Sequence, residues 1–171
     1  MHLQSIVNVQ NFPMNILRPS NAYGPGQQIY RVIPRLVVYG LMGKKMPLQG
    51  GGVVRKSYIH AQDLARAIYL IDEKAPLGRI YNAGPVEPVS IRELAEKVAR
   101  IIGVPLDKLV DMAPGRPGED AQYWLDSSAI KRDTGWEPQI GLDEGLAEMV
   151  GWGRQYLDSL KTAPTEYTLY A

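Results

Sequence analysis

The stretch ILRPSNAYGPGQ, residues 16–27, decides how the chain is read. Asn15 to Arg18 is a short apolar run closed by Pro19, the signature of a buried strand whose end opens into a loop, and Gly24, Pro25 and Gly26 supply that loop. A strand running straight into a glycine- and proline-rich turn is where an α/β enzyme places ligand contacts. Here it stands almost at the front of the sequence.

Helices and strands alternate onward from it. Ile29, Val32, Ile33, Leu36, Val37 and Leu41 fall at helical spacing, with Pro34 either in the first turn or at a kink and Gly43 as a stop. KMPLQGGG reads as a short strand and a glycine turn, and KSYIH as another strand. Gln62 to Glu73 carries Leu64, Ala67, Ile68 and Ile71 on one helical face, and GRIYNAG is a strand ending at Gly84. Ser90 followed by Glu93 is a capping box that opens a helix to Ile102, stopped by Gly103 and Pro105. Asp126 to Asp133 and Leu142 to Leu160 complete the helices, the last weakened by Gly145, Gly151 and Gly153. The end, KTAPTEYTLYA, reads as a loose tail or arm.

Composition narrows the function. With 171 residues, 45% of them apolar, and a net charge of +1, the chain fits a soluble globular protein. Its 19 basic and 18 acidic residues form no basic block, which argues against a nucleic-acid backbone or an anionic membrane as partner. Without cysteine there is no disulfide framework, thiol nucleophile or zinc-thiolate site, in keeping with a reducing compartment. Arg35 and Lys44 interrupt the apolar stretches before membrane-spanning length, no signal pattern opens the chain, and a cytoplasmic location is expected.

Several chemistries lack their residues. No G-x-G-x-x-G follows a strand, and there is no Walker loop, G-x-S-x-G or H-E-x-x-H. A Tyr acidified by a Lys four residues on would share one helix face with it, yet none of the ten tyrosines has that partner; Lys44 and Lys161 follow Tyr39 and Tyr156 by five. His60, a lone histidine beyond His2, makes a poor metal site and reads as a hydrogen-bonded strand-end residue.

ILRPSNAYGPGQ resembles the segment that follows the Tyr-Lys helix in the extended short-chain dehydrogenase/reductases, the NAD-dependent nucleotide-sugar epimerases and dehydratases. MPLQGGGVVRKSYIHAQDLARAIYL, GRIYNAGPVEPVSIRELAEKV, GRPGEDAQYWLDSSAIKRDTGWEPQIGLDEGL and WGRQYL continue the likeness in order. It is nearest to the dTDP-glucose 4,6-dehydratase branch, through RPGED, DSSAI and GWEP. The resemblance implies an α/β chain with part of a Rossmann-like sheet, its last strands, and the C-terminal substrate-binding domain. Residues 1–28 would be a remnant of the cofactor-domain helix, strand and loop. Residues 29–161 would be mainly the substrate-binding domain, with a returning Rossmann strand near 79–84, and 162–171 a tail.

The same resemblance assigns residues. Asn21 matches the Asn that reaches the sugar-nucleotide phosphates, Arg55 and Arg116 the two arginines that clamp the pyrophosphate, and Asn82 their neutral neighbour; Pro19 and Ser20 would lie beside the nicotinamide. A guanidinium presents a planar fork of donors suited to phosphate oxygens. The catalytic Tyr and Lys and the cofactor loop match nothing here and would lie upstream of Met1, so no catalytic or metal residue is assigned. NAD would serve the full-length family, with none bound by this chain alone. The sequence departs from the family pattern at Gln49, Lys56 and His60, where the base and sugar preferences would be read.

Plainer readings stand beside these. Arg55 also fits a solvated residue beyond a glycine turn, Arg116 a partner of Glu119 or Asp120, and Asn21 and Asn82 turn formers. Tyr23 reads as a packed loop aromatic, and Trp124, Trp136 and Trp152 as core or rim. The expected function is the C-terminal substrate-binding portion of a nucleotide-sugar 4,6-dehydratase or epimerase, binding a nucleoside diphosphate sugar and inactive alone. The alternative is a non-catalytic oligomerising relic or interaction module without ligand binding. Either way, exposed strand edges lead us to expect a homo-oligomer or association with a full-length relative.

Overall fold

The computed structural model describes residues 5, 9, 12–115, 118 and 121–165. In chain order they form β1 (Ile16–Pro19), β2 (Asn21–Tyr23), α1 (Val32–Leu41), β3 (Met46–Gln49), a 3-10 turn (Gly50–Gly52), β4 (Arg55–Lys56), β5 (Tyr58–His60) and α2 (Ala61–Lys74). There follow β6 (Ile80–Ala83), β7 (Val89–Ser90), α3 (Ile91–Ile102), α4 (Leu106–Leu109), β8 (Val110–Ala113), β9 (Gln122–Tyr123), α5 (Ser128–Thr134), α6 (Leu142–Gln155) and α7 (Leu157–Leu160). Two compact units share these elements. One contains residues up to Ala22, Ser57–Pro88 and Tyr123–Ile140; the other contains Tyr23–Lys56, Val89–Gln122 and the residues from Gly141 on. Among the described residues no helix is long and apolar enough to cross a membrane.

The first unit is built on the parallel pair β1–β6, in register from Ile16 opposite Ile80 to Pro19 opposite Ala83. Tyr81 and Ala83 of β6, Ile59, Ala67 and Ile71, and Ile130 with Trp136 form its core. His60 caps α2, its Nδ1 accepting the Gln62 N–H at 3.4 Å, as a hydrogen-bonded strand-end residue. One turn on, Asp63 is only 2% exposed, and its carboxylate accepts the N–H of Gln139 at 3.0 Å, the N–H of Ile140 at 2.9 Å and the Arg66 guanidinium at 2.6 Å. The Trp136 indole N–H donates to the Asp63 carbonyl at 3.0 Å. A segment with no regular structure, residues 135–140, is thereby tied to the first turn of α2, because its backbone donors would otherwise lie unsatisfied.

The second unit packs α1, α3 and α6 around one core. Ile33, Leu36 and Val37 come from α1, Leu94, Ala95 and Val98 from α3, and Leu146, Met149 and Val150 from α6. The parallel pair β3–β8 runs from Met46 opposite Val110 to Gln49 opposite Ala113, and β4 pairs antiparallel with β7. The capping box of α3 is complete: the Ser90 hydroxyl accepts the Glu93 N–H at 3.0 Å, and the Glu93 carboxylate accepts the Ser90 N–H at 2.7 Å.

Some boundaries differ from the sequence reading. Helix α1 begins at Val32 rather than Ile29, which places Pro34 in its first turn, where a missing N–H is harmless. The KSYIH segment divides into β4 and β5 at Ser57. The single helix expected from Leu142 to Leu160 is two, divided at Tyr156 and not at a glycine. Gly145 is a packing device: a Cβ there would stand 2.2 Å from the Tyr23 hydroxyl oxygen. Gly145→Ala is therefore expected to lower stability by about 1–3 kcal/mol despite alanine's better helix propensity. Thermal melts of Gly145→Ala alone and with Tyr23→Phe check this, and the double variant should recover part of the loss.

Candidate functional site

Ligands of open α/β sheets sit beyond the carboxyl ends of the strands, because there the chain leaves the ladder and its polar groups become available. In the first unit, β1 and β6 end side by side. The Ser20 N–H extends the pairing by donating to the Ala83 carbonyl at 2.8 Å, and Asn21 follows, its backbone and side-chain N–H groups both donating to the Ser57 carbonyl, at 3.2 and 3.0 Å. Asn82 lies in register with Arg18, and its side-chain amide donates to the Asp126 carbonyl at 3.3 Å. Pro19, Ser20, Asn21 and Asn82 are thus gathered at one sheet edge.

Gly84 closes that edge. Its N–H donates to the Ser127 hydroxyl at 3.0 Å, which donates in turn to the Gly84 carbonyl at 2.9 Å. A Cβ on Gly84 would stand 2.6 Å from the Ser20 hydroxyl oxygen, so the backbone must come this close for Ser20 to be held. The Ser20 hydroxyl is buried, the residue being 5% exposed, and has no hydrogen-bond partner among the described residues. Ser57 donates its hydroxyl to the Pro85 carbonyl at 2.7 Å. The contacts of Ser57, Asp126 and Ser127 with this edge were not legible in the sequence, since each joins segments more than twenty residues apart.

In the second unit, Arg55 sits on β4 opposite Ser90 of β7, and its N–H donates to the Ala121 carbonyl at 3.1 Å. Its Nη1 lies 3.1 Å from Glu93 Oε2, with the two side chains 42% and 45% exposed. The sequence identifies Glu93 as a capping residue, and the structure adds this second contact. Arg116, with Glu119 and Asp120, lies outside the described residues, as does the tail from residue 166. Among the described residues no three His, Cys, Asp or Glu side chains come together as a metal site.

Neighbours tune the acidities of Glu93, Asp126 and Asp133, as Lys161 does that of Asp158. The Ser90 N–H, then Arg55, hold Glu93 below the usual carboxylate range. The N–H and hydroxyl of Ser128 do the same for Asp126, and the Tyr81 hydroxyl, at 2.9 Å, for Asp133. Carboxylates whose folded-state pKa is lowered add stability that is present above their unfolded pKa and lost as pH falls through the folded value. The melting temperature should therefore hold near neutrality and drop below roughly pH 4. Tyr81→Phe should make that acid limb shallower in a melting-temperature series over pH.

The family model described as GDP-mannose 4,6 dehydratase matches residues 2–149. The chain is 33% identical over 156 residues to the dTDP-glucose 4,6-dehydratase of Streptomyces niveus, covering 90% of this chain and 46% of that protein. Among solved structures, the UDP-glucose 4-epimerase of Thermotoga maritima with UDP-glucose superposes with a TM-score of 0.85 at 29% identity, over 92% of this chain and 51% of that one. The dTDP-glucose 4,6-dehydratase DesIV of Streptomyces venezuelae, solved with NAD, gives a TM-score of 0.84 at 31% identity, over 89% and 47%. The chain thus spans about half the length of these relatives. A family match across most of the sequence, joined to the parallel strand ends and the antiparallel β4–β7 pair that carries Arg55, leads to one conclusion: the chain belongs to the GDP-mannose 4,6 dehydratase family of NAD-dependent nucleotide-sugar epimerases and dehydratases.

Proposed function

We propose that these 171 residues form the substrate-binding portion of a nucleotide-sugar 4,6-dehydratase or epimerase and hold a nucleoside diphosphate sugar. The observation that carries this reading is Arg55, a guanidinium fixed on a short strand beyond a glycine turn within a family whose relatives act on nucleotide sugars. Arg55 and Arg116 would clamp the pyrophosphate, each giving charge-assisted bonds to phosphate oxygens. Within the first unit, Asn21 and Asn82 would supply neutral amide donors to a sugar nucleotide. We take the cytoplasm as the location, in keeping with a sequence that has no cysteine.

NAD fits these residues at one end only. The buried, unpartnered Ser20 hydroxyl, beside Pro19, suits the polar rim of a nicotinamide. No strand-to-helix turn in the sequence carries the glycines that let a backbone approach a dinucleotide pyrophosphate. No Tyr-x-x-x-Lys supplies a base, so no reaction step is assigned to these residues. Separate calorimetric titrations and a turnover assay test the reading: dTDP-glucose should bind, NAD should not, and no 4-keto sugar should form. Turnover by this chain with NAD and dTDP-glucose would overturn it.

A second reading, an assembling module, is favoured by the edge of β1, which among the described residues pairs with β6 alone, and by exposed Phe12, Leu77 and Ile80 in the same unit. Self-association, or association with a full-length relative, should then appear in sedimentation velocity. A monodisperse monomer that ignores the full-length relative would contradict it.

A further inference from the structure

We propose that Glu93 is a positioning residue that sets the affinity of Arg55 for phosphate: its carboxylate holds the guanidinium in the ligand-free protein, and an incoming diphosphate must draw Arg55 away. This rests on the reading of Arg55 as a phosphate ligand given above.

The arrangement follows from the backbone. Arg55 faces Ser90 across the β4–β7 pair, the N–H of Arg55 is bound to Ala121, and the N–H of Ile91 is bound to the Val54 carbonyl at 3.1 Å. The strand that carries the guanidinium and the first turn of α3 are therefore held at a set spacing. Glu93 stands at the third position of that turn, and one oxygen, Oε2, takes both the Ser90 N–H at 2.7 Å and Arg55 Nη1 at 3.1 Å. The helix cap thus places an anionic acceptor where it meets the arginine.

A carboxylate and a phosphate compete for the same guanidinium donors with similar geometry. Glu93 is ionised at neutral pH, since the Ser90 N–H and Arg55 hold its pKa below the ordinary carboxylate value. Both side chains are nearly half exposed, so water screens the pair and either partner is readily released. Glu93 should accordingly reduce diphosphate affinity by a modest factor.

Glu93→Gln separates the two jobs of this side chain. Glutamine also completes a capping box, its carbonyl accepting the Ser90 N–H, while the charge is lost. Calorimetric titration with dTDP is expected to show binding about two- to fivefold tighter than wild type. Glu96→Gln removes the same charge one turn along α3, where Glu96 pairs with Arg92 at 3.1 Å, and should leave affinity unchanged. Ser90→Ala should lower the melting temperature without tightening binding. If Arg55→Gln weakens dTDP binding but Glu93→Gln does not tighten it, or Glu96→Gln tightens it equally, the role of Glu93 is overturned and the phosphate reading of Arg55 stands. If wild type and Arg55→Gln bind dTDP equally, or neither binds, both readings fall.

Discussion

Asp63→Ala is expected to lower folding stability by about 3–5 kcal/mol, because losing this buried acceptor leaves two backbone N–H groups unsatisfied, at about 1–3 kcal/mol each, together with lost packing. The carboxylate is 2% exposed and serves the Gln139 and Ile140 N–H groups and the Arg66 guanidinium together. Alanine would leave the Gln139 and Ile140 N–H groups without their acceptor, while the Arg66 guanidinium, 28% exposed, keeps the Glu137 carbonyl. For a chain of this length the loss corresponds to a fall in melting temperature of roughly 6–20 °C. Hydrogen exchange should locate it, with the Gln139 and Ile140 amides losing protection first. Asp63→Asn keeps the shape and one acceptor oxygen and should lose less.

Arg55→Ala is expected to weaken dTDP-glucose binding about ten- to a hundredfold, the effect of losing a hydrogen bond to a charged group expressed as a ratio of affinities. Its melting temperature should change little, because exposed ion pairs contribute little to stability and Glu93 keeps its bond to Ser90 in the variant. Affinity and stability thus move separately. A variant that lost both together would point to Arg55 as a structural residue of the β4–β7 pair.

What the sequence made legible depended on whether the signal was local. The capping box at Ser90 and Glu93 sets a helix start by hydrogen bonds three residues apart, and it appears where the spacing predicts. Strand β6 and helix α2 were likewise announced by short apolar runs and by helical spacing. Strand β8 was not, because its parallel pairing with β3 joins residues sixty-odd positions apart and its sequence, VDMA, has no alternation to betray it. Gly145 illustrates the opposite case. Local propensity marks it as a helix weakener, whereas contact with Tyr23, distant in sequence, makes its missing side chain the feature that fits.

The candidate site divides in the same way. Asn21, Arg55 and Asn82 were reached through ordered family motifs, and the structure places each at a strand or just beyond one. The Asp63 latch and the contact between Glu93 and Arg55 could not be read from spacing, since each joins a helix turn to a segment chosen by tertiary packing. Glu93 was visible in one role and hidden in the other.

The most direct test of nucleotide-sugar binding is calorimetric titration of dTDP-glucose into the 171-residue chain and into its Arg55→Ala and Arg116→Ala variants. Saturable binding to the wild-type chain that is lost or greatly weakened in both variants is the predicted result. No binding by wild type, or binding that neither substitution changes, would contradict it.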